Sequence, residues 1–131
     1  MSAKKILIIE DEPAVSELIR RKLEMAGYET SCAFNGSQAG FYARTGKPDL
    51  ITLDLNIPAE SGEIVYSKLK AADATKNIPV LIVSSEADSM RVEKMIMKTG
   101  AVKEDIFSKP IDFAALLGRI AFYLSEKTAQ D

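Results

Sequence analysis

The sequence predicts an α/β fold, a five-stranded parallel sheet doubly wound by helices on both faces. Three observations carry this. Short apolar runs of strand length alternate with segments of helical period five times along the chain. The connections between them are short, which suits parallel strands joined through helices. The first run is also continuous and β-branched rather than alternating apolar and polar, as in a strand buried on both faces.

The elements follow in order. Lys5-Ile6-Leu7-Ile8-Ile9 is the first strand. Pro13 opens the next helix, in the first turn where its missing N–H costs nothing. Val15, Leu18, Ile19 and Leu23 recur on that helix as an apolar stripe, and Gly27 can stop it. The second strand runs from about Glu29 to Ala33. Asn35-Gly36 then turns into a short helix ending near Gly46-Lys47-Pro48. Leu50-Ile51-Thr52-Leu53 is the third strand, with Asp54 at its C-terminal end. A loop with Pro58 and Gly62 leads to a helix carrying Ile64, Val65, Lys68 and Leu69. Ile78 to Ser84 reads as the fourth strand and Met90 to Lys98 as the fourth helix, closed by Gly100. Ile106-Phe107-Ser108 is a short fifth strand. Asp112 is placed to cap the last helix, on which Phe113, Leu117, Ile120 and Leu124 recur. One domain is expected over 1–126, with a polar tail at 127–131.

Composition narrows the function. The 131 residues are 47% hydrophobic and 27% charged, with a net charge of −2, the balance of a soluble globular domain. No basic run suits nucleic acid, and Lys4 and Lys5 are too few for a basic arm. No apolar run approaches the roughly 20 residues needed to span a bilayer. Glu10 and Asp11 come too early for a signal peptide, so a cytoplasmic protein is expected. Cys32 is the only cysteine and is read as a reduced packing residue. There is no histidine. That excludes Ser-His-Asp and Cys-His nucleophile systems and His-ligated zinc. Any phosphohistidine must belong to another molecule.

In open α/β sheets, functional groups gather at the carboxyl ends of the strands. Here those ends carry Glu10-Asp11-Glu12, Asp54, Ser84 and Lys109-Pro110. Taken singly, Asp11 could cap a helix, Ser84 could be a turn hydroxyl and Lys109 a solvated lysine. Asp54 after four strand residues is harder to dismiss, because buried strands rarely end in a purposeless carboxylate. Together the carboxylates would repel one another unless a cation joined them. Mg²⁺ suits this set, since it takes one or two carboxylates with water and phosphate oxygens. Asp11 and Asp54 suit direct coordination, and Glu10 a contact through water. Asp54 then serves as an oxygen nucleophile for a phosphoryl group, with Lys109 and Ser84 offsetting charge on its oxygens.

These residues resemble the receiver domains of two-component response regulators, the CheY-like family, over essentially the whole chain. Lys5 to Pro13 resembles the family's first strand and acidic pair. Asp54-Leu-Asn-Ile-Pro58-Ala-Glu-Ser-Gly62 resembles its phosphoacceptor loop, Ser84 its Ser or Thr, and Lys109-Pro110 its lysine and following proline. The resemblance implies a flavodoxin-like (βα)5 fold with strand order 2-1-3-4-5 and a cis Lys109-Pro110 bond. It implies Mg²⁺ held by Asp11, Asp54 and the backbone carbonyl of Asn56. It also implies phosphorylation of Asp54 by a partner sensor histidine kinase or histidine phosphotransfer protein.

Two departures stand out. Ile106 occupies the position where the family usually has Tyr or Phe, and isoleucine cannot reproduce the inward swing of an aromatic ring. Phe107, next door, should face the other side of its strand. The stretch from Gly100 to Lys109 is also longer than usual. The fourth helix carries Met90, Met95 and Met97. An exposed Met90 and Met97 beside Ile106 is the expected surface for a downstream protein.

The leading expectation is a phosphorylation-dependent switch with no output module after Leu124. It would act by docking, by relaying the phosphoryl group or as part of a longer protein. Its only chemistry would be Mg²⁺-dependent self-phosphorylation and self-dephosphorylation, not enzymic turnover of another substrate. The alternative is a pseudo-receiver, an interaction module that phosphorylation does not control. A phosphatase of the haloacid-dehalogenase type is disfavoured because it needs an acid at Asn56, which cannot transfer a proton.

Overall fold

In the computed structural model, residues 3–85 and 90–125 are described. The strands are β1 (Lys5–Ile9), β2 (Glu29–Ala33), β3 (Leu50–Leu53), β4 (Val80–Ser84) and β5 (Ile106–Ser108). All neighbours pair in parallel, in the order β2-β1-β3-β4-β5. The helices are α1 (Pro13–Met25), α2 (Gly36–Gly46), α3 (Gly62–Ala71), α4 (Met90–Thr99) and α5 (Phe113–Leu124). The architecture and strand order are those expected. The tail expected at 127–131 lies outside the described residues.

Strand alternation divides the core in two. Leu7, Ile9, Ile51, Leu53 and Ile82 pack with Ala39, Val65, Leu69, Val92 and Met95 of α2, α3 and α4. Ile6, Ile8, Leu50, Leu81 and Val83 face the other way, onto Ile19 and Leu23 of α1 and Leu116 and Ile120 of α5. Each buried Val, Leu, Ile or Met among these contributes about 1.5–3 kcal/mol. With both faces covered, the carboxyl edge is left for polar groups.

Local signals set the helix ends. Pro13 stands in the first turn of α1. Gly27 follows that helix at φ 100°, in the left-handed region that glycine enters without steric cost. Asn35 Oδ1 accepts from Gln38 N at 2.9 Å and Asp112 Oδ1 from Ala115 N at 3.1 Å, so both act as N-caps.

Three details differ from expectation, and a fourth, the order of the connection before β5, adds to it. β4 begins at Val80 rather than Ile78, because Pro79 has no N–H for the ladder and Ile78 N turns back to Thr75 O. On α1 the buried line runs through Ser16, Ile19 and Leu23, and Leu18 lies about 100° round the helix from Ile19, in solvent. The long connection before β5 is ordered as a 3₁₀ turn, Lys103–Asp105. Asp105 accepts from Arg119 Nε at 2.7 Å and from the Tyr123 hydroxyl at 2.6 Å, which ties that turn to α5. Finally, Leu116, outside the expected stripe of α5, is fully buried. Leu116→Ala is expected to lower unfolding stability by about 2–5 kcal/mol in denaturant titration. A loss below about 1 kcal/mol would mean that α5 does not pack as described.

Candidate functional site

The ladder extends one residue past β1, β3 and β5 and thereby builds the site. Glu10 N donates to Ala33 O at 3.0 Å, Asp54 N to Ile9 O at 3.0 Å and Lys109 N to Ser84 O at 3.2 Å. Glu10 and Asp54 therefore leave adjacent strands side by side, and Lys109 leaves β5 on the far side of β4. Asp54 is 3% exposed and Glu10 1%. Lys109 Nζ lies 3.1 Å from Asp54 Oδ2, 3.0 Å from Glu10 Oε1 and 3.6 Å from Glu12 Oε1. Ser84 is fully buried at the end of β4, paired in register with Ser108. The Lys109-Pro110 bond is cis.

Burial raises the Glu10 carboxyl to about 7, the Lys109 ammonium opposes that rise, and the nearby Asp54 charge adds to it. Burial also works to lower Lys109, but its hydrogen bonds and charge contacts with Glu10 and Asp54 win and hold it above the ordinary lysine range. One ammonium among several acids leaves the cluster anionic.

The donor set fits a hard divalent cation. Glu10, Asp11 and Asp54 each place one carboxylate oxygen within 4.8 Å of the others. Glu10 Oε1 is buried and lacks a hydrogen bond of good geometry. Asp11 is not the cap of α1, whose N-cap is Glu12, so its carboxylate is left at the cluster. An oxygen-only set of carboxylate ligands is the kind that Mg²⁺ takes.

The loop after β3 is shaped around Asp54. Asn56 N donates to Asp54 Oδ1 at 3.0 Å. Ala59 sits at φ 75°, a conformation costing a side-chain-bearing residue about 1–2 kcal/mol. Ser61 caps α3, and Gly62 N returns to Leu55 O at 3.0 Å. The sequence reading missed Arg91. This residue in the first turn of α4 donates to both Glu63 oxygens, to Asn56 Oδ1 at 2.6 Å and to Leu55 O at 2.8 Å. No local pattern announces it, because its partners lie about 30 residues away in the chain.

Ile106 and Phe107 point to opposite faces, as expected. Ile106 packs against the α2–α3–α4 side and Phe107 against the α1–α5 side. Met90 and Met97 are exposed, while Met95 is buried. Cys32 is a half-buried free thiol packed on the α1–α5 side.

A parallel 2-1-3-4-5 sheet with acids and a lysine at its carboxyl edge is the form of a phosphoacceptor signalling domain. A family model described as the response regulator receiver domain matches residues 6–121, and the chain belongs to that family, the CheY-like receivers of two-component signal transduction. It is 35% identical over 116 residues to the DNA-binding dual master transcriptional regulator RpaA of Synechocystis, covering 88% of this chain and 47% of RpaA. It is 35% identical over 123 residues to the polar-differentiation response regulator DivK of Brucella anthropi, covering 94% of this chain and 98% of DivK. The chain thus spans about half the length of the first relative and nearly all of the second. Its fold matches the receiver domain of sensor histidine kinase PA1611 from Pseudomonas aeruginosa, solved with a magnesium ion in its active-site cleft. That match has a TM-score of 0.82 at 23% identity and covers 93% of this chain and 98% of the other. No helix among the described residues is long and apolar enough to cross a membrane.

Proposed function

We propose that this receiver accepts a phosphoryl group on Asp54 from a phosphohistidine of a sensor histidine kinase or histidine phosphotransfer protein in the cytoplasm. It then changes conformation or passes the group on. The observation that carries the reading is Asp54 held 3.1 Å from the Lys109 ammonium within a cluster of three carboxylates. A carboxylate oxygen of Asp54 attacks phosphorus. The new P–O bond forms as the P–N bond breaks, and the electron pair returns to the partner's imidazole. Lys109 stays protonated throughout and offsets charge on the phosphoryl oxygens, and the Ser84 hydroxyl donates to one of them. Asp11, Asp54 and the Asn56 carbonyl would hold Mg²⁺, with Glu10 through water, and the ion when bound neutralises phosphoryl charge. Self-phosphorylation and self-dephosphorylation are the only reactions assigned. A downstream protein is proposed to dock on the segment from Met90 to Ile106.

The direct test is incubation with Mg²⁺ and acetyl phosphate followed by mass spectrometry. One phosphoryl adduct is expected on the intact protein, and no adduct would leave the pseudo-receiver reading, which Ile106 favours. Mg²⁺ alone is expected to raise the melting temperature, because it binds the folded cluster and not the unfolded chain. Asp11→Asn should remove most of that rise, and an unchanged rise would place the ion elsewhere.

A further inference from the structure

Outside the proposed phosphoacceptor site, a surface between α3 and α4 departs from an ordinary solvated face. Ile64, Lys68 and Ala71 on α3 and Arg91, Met95 and Lys98 on α4 line an open groove of about 1060 Å³. Both sets fall at the spacing of one helical face. Ile64 and Met97 on its walls are 48% and 86% exposed, so the groove presents apolar side chains to water.

Its charge is one-sided. Glu63, which also lines it, is neutralised by Arg91, and Lys68 is paired with Glu60 at 2.6 Å. Lys94 and Lys98 form no ion pair among the described residues. They stand one turn apart on the same wall, a like-charge spacing that weakens a helix. Lys98, in the last turn, is favoured there by the helix dipole. Lys94 has no such reason. The groove's unmatched charges are both positive on a chain whose net charge is −2.

We infer that this groove docks an acidic amphipathic helix of a partner protein. An apolar floor flanked by two unmatched ammonium groups takes leucine-like side chains on one helical face and Asp or Glu beside them. The walls are helices and offer no strand edge, so an extended peptide would find no backbone partners, whereas a helix satisfies its own. α3 and α4 have 10 residues each, a length of about 15 Å, or roughly three turns of an occupant.

Arg91 makes the groove a sensor as well. It lines the wall and donates to Asn56 and Leu55 beside Asp54. A helix that moves Arg91 alters the Asp54 loop, and by linkage a change at Asp54 alters the helix's affinity. This coupling, unlike the docking, rests on the phosphoacceptor reading, and it runs through α4 without needing an aromatic side chain at Ile106.

The test uses the full chain and two synthetic helical peptides with the same leucine face, one flanked by glutamate and the other by lysine. The glutamate peptide should bind at least tenfold tighter by fluorescence anisotropy and shift the amide signals of Ile64, Ser67, Lys94 and Lys98. A Lys94→Glu, Lys98→Glu double variant should reverse the preference. Equal affinity of the two peptides, shifts on another face, or self-association through this groove in sedimentation would each overturn the docking. For the coupling, the glutamate peptide is titrated with and without Mg²⁺ and beryllofluoride, with fluorine NMR reporting the adduct. At least about a fivefold change in affinity is expected, collapsing to none in Arg91→Ala. No adduct would refute the phosphoacceptor reading and leave the docking result standing. An adduct with unchanged affinity would refute the coupling.

Discussion

Asp54→Asn should abolish the acyl-phosphate adduct formed with Mg²⁺ and acetyl phosphate, and Lys109→Ala should slow its formation by about 10²-fold. The two losses have different causes. The asparagine amide removes both the nucleophilic oxygen and one of three clustered carboxylates, so no slower route remains. Lys109 is not the nucleophile. Its ammonium, 3.1 Å from Asp54 and 3.0 Å from Glu10, offsets charge that grows on the phosphoryl oxygens, and removing one such preorganised group typically costs 10²–10³ in rate. Mass spectrometry over a time course reads both. Asp54→Asn should also fold, because it lowers the charge density of an anionic cluster. Equal labelling of Asp54→Asn and wild type would place the acceptor elsewhere. A Lys109→Ala rate within twofold of wild type would mean that the phosphoryl oxygens do not face this lysine.

Gly62→Ala is expected to be among the most damaging small substitutions in the protein. A Cβ there would stand 2.4 Å from Leu55 Cα and 2.7 Å from Asp54 O. Both are backbone atoms of the Asp54 loop and cannot swing away as a side-chain end can. The first turn of α3 would have to lift from the loop, straining the hydrogen bond from Gly62 N to Leu55 O. Overpacking of this kind costs about 1–3 kcal/mol, and the displaced backbone carries Asp54. Chemical denaturation should therefore show that loss together with slower phosphorylation. Gly118→Ala provides the contrast, since nothing lies within 4 Å of its added Cβ. If the two alanine variants were equally stable, the close approach of α3 to the Asp54 loop would be wrong.

The residues proposed for chemistry at Asp54 and the residue usual for transmission from it come apart in this sequence. The strand-end set of Glu10, Asp11, Asp54, Ser84 and Lys109 is in place, whereas Ile106 is a half-buried core residue on the side of α4. What links α4 to the Asp54 loop is the guanidinium of Arg91, with hydrogen bonds to Asn56, Leu55 and Glu63. A planar group with five donors is suited to hold four acceptor atoms from one loop and one helix at once.

The sequence by itself determined the class of fold and the chemical set. Strand-length apolar runs and helical periods depend on near neighbours in the chain, so all five strands, and the cap at Asp112, were readable within a residue or two. Carboxyl ends of parallel strands share one edge, so the residues after Ile9, Leu53, Val83 and Ser108 could be grouped before any distance was known. What tertiary structure decided lies between elements distant in the chain. The burial of Leu116, the anchoring of Asp105 by Arg119 and Tyr123, the fit of Gly62 against Leu55 and the grip of Arg91 on Asn56 all depend on how helices settle against the sheet and its loops. Periodicity tells which face of a helix turns inward. It does not tell which distant atom that face will meet, because that is set by packing of the whole chain.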